Sequence, residues 1–408
     1  MRKKFLSWLL ALSMVIGLCP AMALPAMAAE AAGSGVDITG AQELTLNTSS
    51  ATEITQNGTY TVTGNVTQPI LIGADAATDT PATKVNVTLV LNGLKINSAT
   101  SPIQILGGSE LTLVLVDGTE NVLNCTKTGN AGEFDTSAGA GILCEFGAKL
   151  TIDKAQGAAG TGSLTVTGGY GGAGIGGGRL DSLYTATRAK DGSSSTIYYN
   201  HRNCQDNPGG YWGGTGGQGG LYGADAGQAG DVTINAGRLT ITGGLGGAGI
   251  GGGMGAAGEA GKPGEQGGQT YLNYYDSGVP GGWFASGGGG GGTGGNGGRG
   301  GSGGYVTVNG GTITVSGGKF KLNRNGASVD VIPASIGGGA GGIGGAGGKG
   351  GAAPGDPGSG RWAGAGGTGG TGYMNYNGDG GSLTVNGGQL TAIGNIVAGE
   401  GGNQVAVQ

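Results

Sequence analysis

The sequence is poor in charge and nearly lacks histidine. Charged residues make up 11% of the 408 residues, the formal net charge is −5, and His201 is the single histidine. The acids are scattered and no basic stripe exists, which argues against nucleic acid or an anionic membrane surface as a partner. No Gly-x-Ser-x-Gly elbow, Cys-x-x-Cys pair or His-Glu-x-x-His motif supports serine-hydrolase or zinc chemistry. We therefore expect His201 to be a satisfied or solvent-facing side chain.

Long apolar runs are scarce, and the one that exists is at the start. Residues 1–4 are basic, residues 5–18 are apolar, and the small residues ending at Ala28 resemble a cleavage site. This pattern predicts a secretory signal peptide, in a style typical of Gram-positive bacteria. A membrane anchor is the alternative, which Pro20 and Pro25 disfavour. We expect an extracellular protein, secreted or held at the cell surface, without membrane insertion.

Cysteines are few, and three would remain after removal of the leader: Cys125, Cys144 and Cys204. In an oxidising compartment Cys125 and Cys144 are candidates for a disulfide, which would stabilise the fold by about 3 kcal/mol. The alternative is that they are buried free thiols. Cys204 has no assigned partner.

Glycine, by contrast, is abundant, with 105 residues, and the chain repeats itself. One apolar-threonine phrase ending in Gly-Gly has four copies, the last degraded: residues 163–169, 238–244, 312–318 and 389–394. Their aligned positions 164, 239, 313 and 390 are 75, 74 and 77 residues apart. A fixed period predicts one supersecondary unit stacked on copies of itself.

Short strands are predicted throughout, with no helical periodicity. Residues 85–91 and 111–116 alternate apolar residues with threonine, end at Asn-Gly and Asp-Gly, and superimpose at an offset of 24. Alternation of this kind is typical of half-buried strands, and the Gly-containing pairs suit tight corners. The pattern favours a right-handed parallel β-helix. The alternative is a β-sandwich with disordered glycine-rich loops.

The predicted organisation has three parts. Residues 1–28 form the signal peptide, residues 29–160 a β-helix domain, and residues 161–408 a glycine-rich repeat region. The repeats span about 161–230, 231–304, 305–381 and 382–408.

Equivalent asparagines occupy one corner of the repeats. Asn235, Asn309 and Asn386 follow matching strands, and Asp153 takes this place in the earliest copy. Stacking would bring the side chains together, so we predict a hydrogen-bonded ladder from rung to rung.

Between the strand pairs lie glycine tracts with a three-residue period. Thr293, Asn296, Arg299 and Ser302 are each separated by Gly-Gly. Three residues per turn is the period of an extended left-handed helix, so the tracts predict ordered polyglycine II bundles. Flexible linkers are the alternative, because ordering glycine is entropically costly.

Aromatic residues recur at like places near the ends of these tracts. Sugar rings stack on exposed aromatic faces, so these residues are candidates for ligand stacking. The alternative is that they cap the bundles as small hydrophobic cores. The candidates are Tyr211, Trp212, Trp283, Phe284 and Trp362.

Acidic residues suggest at most a weak metal site. Asp117 and Glu120 are candidate calcium ligands, although Asp117-Gly-Thr-Glu120 also reads as a turn. We expect no other cofactor. Asp75, Asp79, Glu133 and Asp135 are the remaining acids near predicted connections.

Residues 54–64, 87–93 and 111–123 resemble the clostridial carbohydrate-binding β-helix family, which is pectate-lyase-like in fold. The resemblance covers about 90 residues and ends near residue 125. It implies a right-handed β-helix and an acidic or cellulosic polysaccharide ligand, often with calcium. The glycine tracts resemble the polyglycine bundles of phage adhesins and of a glycine-rich antifreeze protein. The bulky aromatics in the insertions make ice binding the weaker expectation.

Together these patterns predict a non-enzymatic extracellular protein that binds a polysaccharide or cell-surface glycan, or mediates adhesion. A β-helix polysaccharide lyase or hydrolase is one alternative, and a structural surface spacer is another. Ligand identity and oligomeric state stay open.

Overall fold

The structure is a computed structural model that describes residues 35–73, 84–106, 108–129, 139–178, 191, 196–197, 211–212, 215–223, 225–266, 269–272, 282–285, 289–324, 327–331, 333–351, 378–394, 396 and 406–407. For 196–197, 211–212, 269–272, 282–285, 322–324, 327–331 and 406–407 only the backbone is described. Within these ranges the protein is all-β, and no helix long and apolar enough to cross a bilayer occurs.

Three parallel sheets form the body of the molecule, and the strands are numbered in chain order. Sheet 1 has nine: β1 Gln42–Glu43, β3 Gly58–Val62, β6 Asn86–Leu91, β9 Glu110–Leu115, β12 Lys149–Lys154, β17 Asp231–Ile234, β22 Tyr305–Val308, β27 Ser382–Val385 and β29 Ala406–Val407. Sheet 2 has seven: β4 Asn65–Val66, β7 Lys95–Ser98, β10 Glu120–Cys125, β13 Ser163–Thr167, β18 Arg238–Leu245, β23 Thr312–Gly318 and β28 Gln389–Ile393. Sheet 3 has seven: β2 Thr52–Ile54, β5 Ile70–Ile72, β8 Ile103–Ile105, β11 Ile142–Cys144, β14 Ile175–Gly176, β19 Ile250–Gly251 and β26 Ile336–Gly337.

From β3 onward the chain visits sheets 1, 2 and 3 in turn and then starts the next rung. This is the predicted parallel β-helix, and parallel crossovers of this kind are right-handed. Alternating residues point inward, where valine, leucine and isoleucine from all three sheets form one continuous core. The predicted β-sandwich alternative is therefore wrong.

The register follows the sequence repeats. In sheet 1, Val87 pairs with Leu111, the predicted offset of 24. In sheet 2, Leu164 pairs with Leu239, and Ile313 pairs with Leu390. Each repeat therefore adds one rung, however long its insertion is.

The glycine-rich insertions leave after sheet 3 and return before sheet 1. Gly176, Gly251 and Gly337 open the three largest insertions, with φ angles of 130°, 141° and 138° that side chains rarely adopt. A Cβ on Gly176 would overlap the carbonyl oxygen of Gly251 on the next rung. Ile175 and its equivalents Ile250 and Ile336 are buried beside these glycines.

Four glycine segments pack side by side outside the coils: residues 215–230 (without 224), 252–266, 289–304 and 338–351. Neighbouring segments exchange a backbone hydrogen bond at every third residue. Gly292 donates to the oxygen of Lys262, and Gly295 to that of Glu259, at 2.9 and 2.8 Å. The second and third segments run antiparallel, whereas the first and third run parallel.

Among the described residues three antiparallel hairpins lie outside the parallel sheets, two of them within the glycine-rich insertions and the third between β23 and β26. They are β15 Thr196–Ile197 with β16 Tyr211–Trp212, β20 Gln269–Leu272 with β21 Gly282–Ala285, and β24 Phe320–Arg324 with β25 Ala327–Val331. Phe320 packs with Met254 and Ala340 in a second small apolar cluster, which joins the β24 hairpin to two glycine segments.

Candidate functional site

The outward side of sheet 1 carries two columns of side chains that run across the strands. The first column stands at the start of the strands, where the register places each residue beside its neighbour on the next rung. Its residues are Asn86, Glu110, Lys149, Asp231, Tyr305 and Ser382.

The second column consists of seven threonines without interruption. Its side chains are half-buried and point away from the core, since the residues on either side point inward. The column is Thr59, Thr88, Thr112, Thr151, Thr233, Thr307 and Thr384. We call the two columns together the sheet 1 face.

The threonine hydroxyls of the sheet 1 face have no side-chain hydrogen-bond partner among the described residues. The outward side of sheet 2 differs, since there the amide of Asn124 donates to Asn97 at 3.1 Å. Ser316 also donates to Thr242, at 3.5 Å. Sheet 2 therefore satisfies part of its polar surface internally, although its outward threonines Thr165, Thr240 and Thr314 resemble those of sheet 1. The threonines of sheet 1 keep their bonding capacity for solvent or a ligand along the whole column.

Two large aromatic side chains are exposed at the sheet 1 face, one in the turn before it and one in its first column. Phe146 is 77% exposed and lies in the turn that enters β12, where Ala148 N–H donates to the oxygen of Glu145. Tyr305 is 67% exposed and opens β22, two strands further along. Exposed Phe and Tyr offer flat apolar faces, and solvent exposure of Phe146 costs hydrophobic free energy.

Charge on the sheet 1 face is small and partly neutralised. Lys149 donates to Glu110 at 2.8 Å, and both side chains are about half exposed. The hydrogen bond from Lys149 to Glu110, and then the charge of that carboxylate, raises the pKa of Lys149. Asp231 follows on the next rung, so two carboxylates face one paired cation.

A third outward position of sheet 1 is covered. Val90, Val114 and Asp153 alternate outward, yet all three are buried. On this side Val36 N–H donates to the oxygen of Lys154, and the chain then reaches β1, which pairs with β3. On these three rungs the accessible part of sheet 1 is therefore limited to the two columns.

Four of the five aromatic residues singled out in the sequence lie in hairpin strands. Tyr211 and Trp212 form β16, which pairs with β15. Trp283 and Phe284 lie in β21, opposite Tyr271 and Thr270. Trp362 lies outside the described residues, as do His201 and Cys204. The choice between stacking and capping stays a prediction.

The candidate calcium ligands Asp117 and Glu120 lie in different environments. Both carboxylate oxygens of Asp117 accept backbone N–H groups, from Ala159 at 2.7 Å and Thr161 at 2.8 Å. These hydrogen bonds, that of Ala159 first, lower the pKa of Asp117. Glu120 opens β10 and is exposed. Among the described residues no group of three or more His, Cys, Asp or Glu side chains suits a metal ion, and calcium binding stays a prediction.

The corner asparagines stand in one line. Asn386 donates to Asn309, Asn309 to Asn235, and Asn235 to Asp153, each at 2.8 Å. Asp153 also accepts the N–H of Lys154. The structure thus brings together the four residues predicted to form a ladder, at the corner between sheets 1 and 2.

The predicted Cys125–Cys144 disulfide is absent, and both thiols are free and buried. Cys125 ends β10 in sheet 2, close to Gly139 and Gly169, whereas Cys144 ends β11 in sheet 3, close to Gly230. The alternative of buried free thiols therefore holds, and the two side chains end strands of different sheets. Burial raises the pKa of both thiols, and that of Cys144 to about 12.

Sequence reasoning missed Phe146, Tyr305 and the threonine column. The column had a visible signal, since Thr88 and Thr112 lie 24 residues apart, the offset of the predicted strands. Nothing in the sequence distinguished Phe146, because turn residues lack a periodic pattern. Its exposure became apparent only in three dimensions.

Comparison with known protein families gives a match that covers the first rungs of the β-helix. Residues 48–181 match the sequence model of a family described as carbohydrate-binding domain-containing protein. This range holds β2 to β14, the threonines of the sheet 1 face from Thr59 to Thr151, and Phe146 in the adjoining turn. Comparison with curated proteins found no match, and neither did comparison with solved structures. The family match supports carbohydrate binding by this chain.

Proposed function

We propose that the protein is an extracellular, non-catalytic surface protein of a Gram-positive bacterium that binds a glycan and serves in recognition or adhesion. The observation that carries the proposal is the carbohydrate-binding family match over residues 48–181, which covers the first rungs of the β-helix. Those rungs present a continuous polar surface on a rigid scaffold, a suitable base for a repeating ligand.

The glycine segments are proposed to form a polyglycine II bundle. A backbone hydrogen bond at every third residue supports this geometry, as does the side chain at every third position from Thr293 to Ser302. The first, second and third segments each bond to the other two, as expected for close lateral packing. The bundle would then be a stiff projection that displays the hairpins carrying Trp212 and Trp283.

Cleavage of a polysaccharide, by a lyase or a hydrolase mechanism, is the alternative function. We propose that the protein has neither activity. Glycoside cleavage needs paired carboxylates, and lyases need an acid-bound cation beside a base. Release of new reducing ends from a bound polysaccharide would overturn the non-catalytic part of the proposal while leaving binding intact.

Binding is tested by pull-down of the purified protein on cellulose, chitin, xylan and immobilised polygalacturonate, with calcium and with chelator. Saturable binding to at least one polysaccharide is expected. Absence of binding to all four would overturn the proposal in favour of a structural spacer. An effect of chelator would direct attention to Asp117 and Glu120.

A further inference from the structure

We infer that the sheet 1 face is the glycan-binding site and that it takes a neutral, extended β-linked glycan. The sugar chain lies along the β-helix, across the strands, and stacks on Phe146 and Tyr305. This inference rests on the proposed function and adds to it the location of the site, the direction of the ligand and its charge.

The aromatic pair sets the two contact points. Phe146 and Tyr305 are the two exposed large aromatics among the side chains that the structure describes. An exposed ring of this kind offers its face to a sugar ring, whose C–H groups are apolar. Both rings stand at the strand-entry side of sheet 1, one at the turn before β12 and the other on β22.

The spacing of the two aromatic residues indicates the direction of the bound glycan. The strands β12, β17 and β22 are neighbours in that order, so two strand spacings, about 10 Å, separate the rungs of the two aromatics. An extended β-linked glycan covers about the same length with two pyranose rings. A glycan that lies along the β-helix axis therefore places close to one sugar ring on each rung.

Hydrogen-bonding groups repeat with the same step. Thr151, Thr233 and Thr307 follow one another beside the line between the aromatics, and each hydroxyl both donates and accepts. A ligand with hydroxyl groups at every ring finds one threonine on every rung. A compact or branched glycan would contact only part of this column.

Charge restricts the ligand class. Glu110 and Asp231 flank Lys149, and the ammonium group of Lys149 is already bonded to Glu110. A uronic acid at this position would meet two carboxylates and no unpaired cation on the face. The sheet 1 face therefore favours a neutral glycan over an acidic one.

The other two sheets fit such a chain less well. The outward positions of sheet 3 are Glu53, Leu71, Gln104 and Leu143, followed by Gly176 and its equivalents on later rungs, which lack side chains. Sheet 2 also has a column of outward threonines, but no exposed large aromatic stands on it among the described residues. Its threonines are Thr165, Thr240, Thr314 and Thr391. Sheet 1 alone combines exposed aromatics with unpartnered hydroxyls among the described residues.

The test compares matched variants of the full chain in pull-down on microcrystalline cellulose, insoluble xylan and chitin, with polygalacturonate as the acidic probe. Phe146→Ala and Tyr305→Ala are each expected to weaken binding roughly five- to tenfold. Thr233→Lys places a long cation in the middle of the face and is expected to abolish binding. Thr240→Lys is the control, since Thr240 is an outward threonine of the same rung on sheet 2.

The outcomes separate the inference from the proposed function. If the unmodified protein binds a neutral glycan and Thr233→Lys binds equally well, the sheet 1 face is not the site, although carbohydrate binding stands. Loss of binding in Thr240→Lys alone would place the site on sheet 2. Binding to polygalacturonate in preference to all neutral glycans would overturn the predicted ligand class. Thermal unfolding of each variant checks that the fold is retained, as expected for side chains that point away from the core.

Discussion

The coils and the glycine segments of this protein achieve close packing by opposite means. In the coils, large side chains fill the interior, and Leu113, Ile152 and Ile234 are fully buried. In the glycine segments, the backbones approach so closely that side chains are excluded from the contacts. A Cβ on Gly220 would overlap the carbonyl oxygen of Glu259 in the adjoining segment.

This difference in packing indicates how each region responds to amino-acid substitutions. Burial of apolar side chains stabilises the coils, so their interior depends on side-chain volume. The glycine segments have little apolar side-chain area to bury, so backbone hydrogen bonds and close contacts must offset the entropy of ordering glycine. Substitutions should therefore act on the two regions in opposite ways, since removing atoms harms the coils and adding atoms harms the segments.

The largest effect is expected from a cavity in the coils. Ile152→Ala removes a side chain that is fully buried in β12 and should lower the free energy of unfolding by about 2–5 kcal/mol. Urea denaturation measures this change. The control is Thr151→Ala on the same strand, which points outward and should change the free energy of unfolding much less.

A smaller effect is expected from one added methyl group in the glycine segments. Gly295→Ala places a Cβ against the carbonyl oxygen of Leu221 and should cost about 1–3 kcal/mol. Amide hydrogen exchange should show faster exchange in the glycine segments and unchanged protection in β9 and β12. Asn296→Ala, at the neighbouring position that already carries a Cβ, should leave protection unaltered. Equal exchange rates for Gly295→Ala and the unmodified protein would contradict the close packing described here.

The ladder at the corner between sheets 1 and 2 should contribute less again. Asn309→Ala breaks two side-chain hydrogen bonds, to Asn235 and from Asn386, in an exposed position. We expect a loss of about 1 kcal/mol, because water can replace part of the bonding. Thermal unfolding measures it, and Asn309→Asp tests the ladder by removing the donor while keeping the acceptor.

The smallest effect concerns pH. Because backbone hydrogen bonds lower the pKa of Asp117 in the folded state, the stabilisation is complete above the ordinary pKa of 3.8. It is lost as pH falls through the lower folded-state value. Asp117→Asn should therefore be less stable than the unmodified protein at neutral pH, and the difference should shrink in acid. A constant difference from pH 7 to pH 2 would contradict this role.

Much of the fold could be predicted from local patterns. Alternation along β6 and β9 identified the strands, and the spacing of Leu164, Leu239 and Ile313 predicted their register, because each repeat must stack in phase to bury its apolar residues. The asparagine corner followed from the same phase. The candidate site could be predicted only in part, since the threonines were regular whereas Phe146 lies in a turn.

The sequence by itself determined which residues face inward in the coils and which rung follows which, since a two-residue alternation and a fixed repeat leave one consistent register. Only the tertiary structure decided which neighbours each glycine segment takes and in which direction. The backbone hydrogen bonds recur at every third residue in all four segments, so this shared period does not encode the partner. The tertiary structure also decided that Cys125 and Cys144 lie in different sheets, and that Phe146 and Tyr305 remain exposed beside the threonines. Those positions depend on how the rungs and turns stack in space.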